Sequence, residues 1–365
     1  MSDPLLAGDV TGAVIVRHLS QESALYNRLW QPYVTRWQDE LLVAFSRELG
    51  RDPRRKVDMG DVVCCRSTDG GATWSEPTVI FDSRVPVGPL RFAYANAVLF
   101  RPTGQNSVWC FAMRCPLFYV DSEDSRLCAA YSPDGGLTWQ QVELAVHHHS
   151  ALIIVAGIVE VQEPGRVRYL LPAHRNTRRH DPKGDCQQFV LESANLLEWR
   201  LAGYIPQAEP AAVFLHEGNI APGDSPDELK IVMRTAQLHG DRRALEPPRA
   251  YSSVSRDGGR TWSMAQPEPE LYNSVAKSFF GRDAQGRHWY VYNDGPAWER
   301  RGLYYRVKPP GGVWSAPRLF FHAHTRNSYP TLVEEATGEF LCVWDSSTDP
   351  EERRTAIRFG RLRLP

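Results

Sequence analysis

Glu217 stands in the stretch HEGN and Arg234 in VMRT. Arg300 and Arg301 form the doublet of WERRGL, and Tyr329 lies in SYPTL. Upstream, GRDPRRKVDMGD holds Asp52, Asp58 and Asp61. These residue types converge on one kind of chemistry. Guanidinium groups grip a planar anion such as a carboxylate through paired N–H donors. A neutral phenol can attack a carbon beside that carboxylate without the repulsion an anionic nucleophile would meet, and a nearby Glu can take its proton. A carboxylic acid on a loop can protonate the leaving oxygen. Arg234 and one of Arg300 or Arg301 fit the first part, Tyr329 with Glu217 the second, and Asp58 or Asp52 the third.

Such residues need a frame, and the frame is written three times. STDGGATW (Ser67 to Trp74), SPDGGLTW (Ser132 to Trp139) and SRDGGRTW (Ser255 to Trp262) are one octet. Its Asp-Gly-Gly core suits a tight hairpin turn, because Asp accepts from backbone amides ahead of it and Gly accepts positive φ. LESANLLEW and RVKPPGGVW are weaker echoes. The five Trp residues are 74, 139, 199, 262 and 314, a near-regular period that marks one supersecondary unit per repeat. Between the turns run short apolar stretches such as DELLVAFS, LKIVMRT, HWYVYN and EFLCVWD, bounded by Gly, Pro and Asp. Five turns and a final strand pair (Tyr329 to Asp345) make six units of about four strands. The sequence thus predicts an all-β, six-bladed β-propeller, a single domain over residues 1–365, with strands from both ends of the chain sharing one blade. The tail EERRTAIRFGRLRLP alternates through Ile357, Phe359 and Leu362 and reads as the closing strand.

The bulk numbers agree. A net charge of −1 points away from nucleic acid as the main partner. No apolar run reaches the roughly 18 residues of a membrane span. MSDPLLAGDVTG has no basic segment leading into an apolar one, so no signal peptide is read, and the compartment stays open between cytoplasm and a chain whose leader has been removed. The seven cysteines form no CxxC pair, so buried reduced thiols are expected rather than a structural zinc site.

The octets resemble the Asp-box, or BNR, repeats of the sialidase superfamily, whose members are six-bladed propellers. The resemblance runs from about Trp30 to Val343. It implies that each Asp box turns between the third and fourth strands of a blade. The opposite face, where inner strands begin and second strands end, then becomes the funnel that holds a site. Glu217, Arg234, Arg300, Arg301, Tyr329 and the three aspartates all fall on that face. The resemblance further implies an exo-α-sialidase with a retaining mechanism and no cofactor. Tyr329 resembles the nucleophile, and sialidases depart from the two-carboxylate rule in using Tyr. Glu217 resembles its partner, Arg234 the second arginine of the carboxylate-binding triad, and Arg300, slightly better than Arg301, the third. The family's Arg-Ile-Pro motif is replaced by Trp30-Gln31-Pro32, so Arg28 is the candidate for the first arginine. Arg47, Lys277, Asn293 and His216 complete the candidate substrate contacts. The implied partner is an acidic glycan or sialoside.

Other features compete. His147, His148 and His149 are adjacent, so in a strand their side chains diverge and suit a solvated loop better than a metal site. AHRNTRRHDPKGD is a polar funnel-side loop in which His174 and Arg175 could shape a pocket. Two rival functions follow: a propeller lyase using Tyr and a histidine (His216, His174 or the His147 run) to take a proton beside a uronate, or a glycan-binding module without catalysis.

Overall fold

The computed structural model describes residues 5–6, 10–17, 28–49, 59–116, 125–148, 152–176, 186–208, 213–225, 227–237, 249–273, 276–295, 300–322, 326–347 and 356–363. The fold is all-β, a six-bladed β-propeller, with six antiparallel sheets following one another along the chain.

The chain divides into two compact units. One holds blades three, four and five. Blade three is built on Val159–Glu163, Arg166–Asn176, Cys186–Ser193 and Glu198–Tyr204, with Ala145–His147 added in parallel at the outer edge. Blade four is Val213–Pro222, Leu229–Gln237, Arg249–Ser255 and Gln266–Tyr272. Blade five is Phe279–Arg282, His288–Asn293, Gly302–Lys308 and Arg318–His322, edged by Leu5–Leu6.

The other unit holds blades one, two and most of six. Blade one is Arg28–Trp37, Glu40–Leu49, Met59–Ser67 and Thr78–Phe81. Blade two is Phe92–Phe100, Val108–Pro116, Arg126–Ser132 and Gln140–Val142. Blade six is Asn327–Ala336, Glu339–Ser346 and Ala356–Arg363, and its fourth strand is Val10–Arg17 from the start of the chain. The expected closure by strands from both ends is present, and Ala356–Arg363 is the strand read from the tail.

The octet is a hydrogen-bonded knot, and each position has a local task. Asp69 Oδ1 accepts from Ser67 Oγ and Thr73 N–H at 2.8 and 2.9 Å, Ser67 Oγ accepts from Gly71 N–H at 2.8 Å, and the Trp74 indole donates to Gly71 O at 3.1 Å. The Thr73 hydroxyl also donates to Asp69, and these bonds hold the carboxyl down to about 2. Asp134 and Asp257 repeat the pattern. In the blade-three echo Asn195 takes the part of Asp, accepting from Leu197 and Glu198 N–H, while Leu196 holds φ at 67°. All five Trp turns fall between the third and fourth strands of their blades.

Inner strands are nearly continuous apolar runs because they are covered on both sides. Phe92–Phe100 and Val213–Pro222 are buried except at their ends. Cys64, Cys65, Cys110, Cys115 and Cys342 are buried free thiols, and burial pushes Cys64 up to about 12. Such thiols are inert. Among the described residues no helix is long and apolar enough to cross a membrane.

Candidate active site

Three inner strands share one irregularity, and a fourth shares its backbone conformation. In blade four His216 faces Arg234 and Asn219 faces Val232, so Glu217 and Gly218 together oppose Met233 alone. Such a two-against-one bulge re-aims a side chain. Here it gives Glu217 a left-handed φ of 52°. Gly218 beside it packs closely: a Cβ would stand 2.7 Å from Ile231 Cδ1, so that side chain would have to shift. Blade one bulges at Gln31 and Pro32, blade two at Asn96 and Ala97. Gln31, Asn96 and Tyr329 have φ of 52°, 61° and 56°. Non-glycine residues seldom adopt this conformation, and it gathers at functional positions.

In the unit of blades three to five, Arg234 Nη1 donates to Glu217 Oε2 at 2.6 Å, and both side chains are buried. Two histidines flank the pair. His174, from the second strand of blade three, accepts the Glu217 backbone N–H on Nδ1 at 3.4 Å, and its ring stands edge-on to His216 at 5.3 Å. An accepting Nδ1 places the His174 proton on Nε2. Burial pushes His174 down to about 4, opposed by the Glu217 charge and aided by Arg234. His216 is pushed well below its usual range by burial and Arg234, with Arg300 contributing. Burial alone would raise Glu217, but Arg234, then His216 and His174, outweigh it and hold the carboxyl at about 2. The cluster is a fixed anion and a fixed cation beside two neutral imidazoles.

Other candidates sort around this cluster. The doublet is divided: Arg300 is 5% exposed, whereas Arg301 faces solvent. Asn327 ties the segment down by donating its N–H to Arg300 O at 2.6 Å and its amide to Arg301 O at 2.8 Å. Lys277 is buried beside Ser278, whose carbonyl accepts from Asn219 two residues beyond Glu217. Asn293 donates to the carbonyls of Gly302 and Asn327, both at 2.9 Å, so its amide hydrogens brace blade five rather than point to a ligand. The sequence puts Glu217 at the start of its inner strand, whereas it lies in the middle, four residues past the observed start at Val213.

In the unit of blades six, one and two, the Tyr329 ring meets Trp30 edge to face, centroids 6.1 Å apart. Arg28 pairs with Glu48 at 3.5 Å and lays its guanidinium over Trp30 at 5.5 Å. Arg47 Nε lies 3.4 Å from buried Asp61, which also accepts from Ser83. Both cations thus have carboxylate partners in their own blade. Asp52, Asp58 and His149 lie outside the described residues. His147 is exposed beside Glu198 at 3.3 Å, and His148 packs on Phe189 at 4.4 Å.

Sequence reasoning missed Gln31 and Asn96. A signal existed for the first: Gln31-Pro32 and Tyr329-Pro330 are the same polar-Pro step at the same place in two inner strands. A second cleft, lined by Arg166, Arg168, Glu192, Asn195, Arg200 and Arg260, lies at the Asp-box end of blade three. That is the end of Arg166–Asn176 remote from His174, and its charges pair with one another.

The native cluster makes acid stability testable. An unfolded His takes up its proton near 6.5, whereas His174 in the fold does so only near 4. The contribution is fully present above pH 6.5 and lost as pH falls toward 4. Unfolding free energies from urea titrations are expected to fall in the wild type between pH 7 and 4.5 by an amount on the order of 2–3 kcal/mol, and clearly less in His174→Gln.

A propeller with Asp boxes between the third and fourth strands of three blades, and with Glu217 on a bulged inner strand, has the sialidase-like fold. The chain belongs to the family described as BNR repeat-like domain, which residues 55–343 match. Solved structures agree in fold. A protein of unknown function from Dyadobacter fermentans aligns over 98% of this chain and 100% of its own, with TM-score 0.72 and 17% identity. The intramolecular trans-sialidase from Ruminococcus gnavus, in complex with oseltamivir carboxylate, aligns over 96% and 97%, with TM-score 0.70 and 14% identity. The NanB sialidase from Streptococcus pneumoniae aligns over 96% and 70%, with TM-score 0.69 and 10% identity. A comparison with curated proteins finds no match.

Proposed function

We propose that the protein is an exo-glycosidase that releases a terminal acidic sugar with retention, with an α-sialoside as the leading substrate. The buried Glu217–Arg234 pair carries this reading. A guanidinium held in a desolvated place by one carboxylate is poised to receive another. Arg300 supplies a second charge that acts on His216 of the same cluster. A substrate carboxylate on Arg234 would neutralise the charge that keeps Glu217 so acidic, so binding itself would raise Glu217 as a proton acceptor. Tyr329 Oη then attacks the anomeric carbon, its proton passes toward Glu217, and Asp58 or Asp52 protonates the leaving oxygen. Water completes the second displacement. The sialidases among the structural relatives act in the same direction as support.

A lyase acting beside a uronate is the second reading, favoured by the two neutral imidazoles of His174 and His216. One assay pair separates the two. Release of 4-methylumbelliferone from its α-sialoside, crippled by Glu217→Gln, supports the hydrolase. Ultraviolet absorbance of an unsaturated uronate, crippled by His174→Gln and not by Glu217→Gln, would replace it with the lyase. Neither product from folded wild type would leave a binding module.

A further inference from the structure

Buried polar atoms normally find partners, and an unsatisfied acceptor costs about 1–3 kcal/mol. Gln31 and Asn96 break this rule in adjacent blades. Gln31 is 7% exposed and Asn96 2%. Among the described residues neither Gln31 Oε1 nor Asn96 Oδ1 has a hydrogen-bond donor. Their backbones are held firmly nonetheless. Gln31 N–H donates to Asp345 Oδ2 at 3.2 Å, and Asn96 N–H donates to Ser46 Oγ at 3.0 Å. Ser46 is the cross-strand neighbour of Trp30, so one serine links the two bulges. The Asn96 amide nitrogen is directed at Met113 Sδ, 3.0 Å away, which turns the amide oxygen the other way.

Each residue also holds a left-handed backbone, a strain of about 1–3 kcal/mol. Strain and an orphan acceptor at the same two positions are opposite to what selection for packing would leave. The same bulge carries Glu217 in blade four, and Tyr329 in blade six shares the left-handed φ.

We propose that the carboxamide oxygens of Gln31 and Asn96 form a donor-reading subsite. They accept hydrogen bonds from hydroxyl or N-acyl N–H groups of a sugar ring, beside the apolar wall of Trp30. The subsite deepens the glycosidase reading and rests on it only in requiring a sugar. Its chemistry is neutral: two carbonyl oxygens select donors and disfavour a carboxylate, so the acid group of the substrate must lie elsewhere on the ring.

The test is calorimetric titration of the full chain with N-acetylneuraminic acid, glucuronic acid and N-acetylglucosamine, and with their monodeoxy analogues. Gln31→Met and Asn96→Ala are compared with wild type, and each is also melted. Affinity for at least one sugar is expected to fall about 10-fold per variant. One deoxy analogue should lose the same factor on wild type and little more on the variant, the mark of a direct contact. The Tm of Gln31→Met is expected to match or exceed wild type, since the orphan oxygen is gone. Unchanged affinities would assign the oxygens to ordered water and overturn the subsite while sparing the glycosidase reading. A drop in Tm with equal losses on every sugar would make both residues structural and overturn it as well. Wild type binding no sugar would overturn both.

Discussion

Tyr329→Phe is expected to lose turnover of an α-sialoside by a factor on the order of 10³ or more, with the melting curve unmoved. The substitution is clean. Tyr329 is 6% exposed and meets Trp30 through its ring, and Phe keeps that contact. Only Oη is removed, so lost activity with an intact fold speaks for the hydroxyl alone. Its backbone is also undisturbed, because Tyr and Phe meet the left-handed φ of 56° with the same Cβ and ring. Steady-state kinetics should show the loss in kcat with little change in KM, since the phenol reacts rather than binds. A variant within tenfold of wild type would remove Tyr329 from the nucleophile's place.

The second large effect is on stability. Arg234→Met strands the Glu217 carboxylate in a buried position, which is expected to destabilise the fold by about 3–5 kcal/mol. Glu217→Gln added to Arg234→Met should recover most of that loss, because the uncompensated charge is gone. Chemical denaturation of the two single variants and the double variant gives the coupling directly. The alternative outcome, additive losses with no recovery, would mean that the two groups do not depend on one another, and would undercut the idea that a substrate carboxylate can trade places with Glu217 on Arg234.

The propeller was legible because its signal is local and repeated. Ser67, Asp69, Gly71, Thr73 and Trp74 bond among themselves, so the octet needs no distant partner to be recognised. Glu217, Arg234 and Arg300 were legible because the turn position of the Asp box assigns each blade a face. The fate of the remaining cations was not. Arg28, Arg47 and Arg234 each meet a carboxylate of their own blade, Glu48, Asp61 and Glu217, and the sequence alone does not show which carboxylate each takes. Which partner an arginine takes depends on the ladder register, which no single strand encodes. Gln31 and Asn96 stayed hidden for the same reason. A bulge is a relation between two strands, and alternation along one strand predicts the wrong face for the residue it displaces. The Asn195 echo shows the opposite case, where a degenerate motif still folds because Asn keeps the one acceptor that the turn needs.

The last blade has a consequence for how the chain comes into being. Val10 pairs with Leu362 and Arg17 with Ala356, so the seam joins segments from opposite ends of the sequence. During synthesis Val10–Arg17 emerges more than 300 residues before Ala356–Arg363, its ladder partner. Its open hydrogen-bonding edge must be endured for that whole interval, which makes the nascent chain a target for holding chaperones and for strand exchange with a second copy. A contact of such long sequence separation is expected to slow refolding, and stopped-flow refolding that ends in a phase as fast as blade formation would count against this.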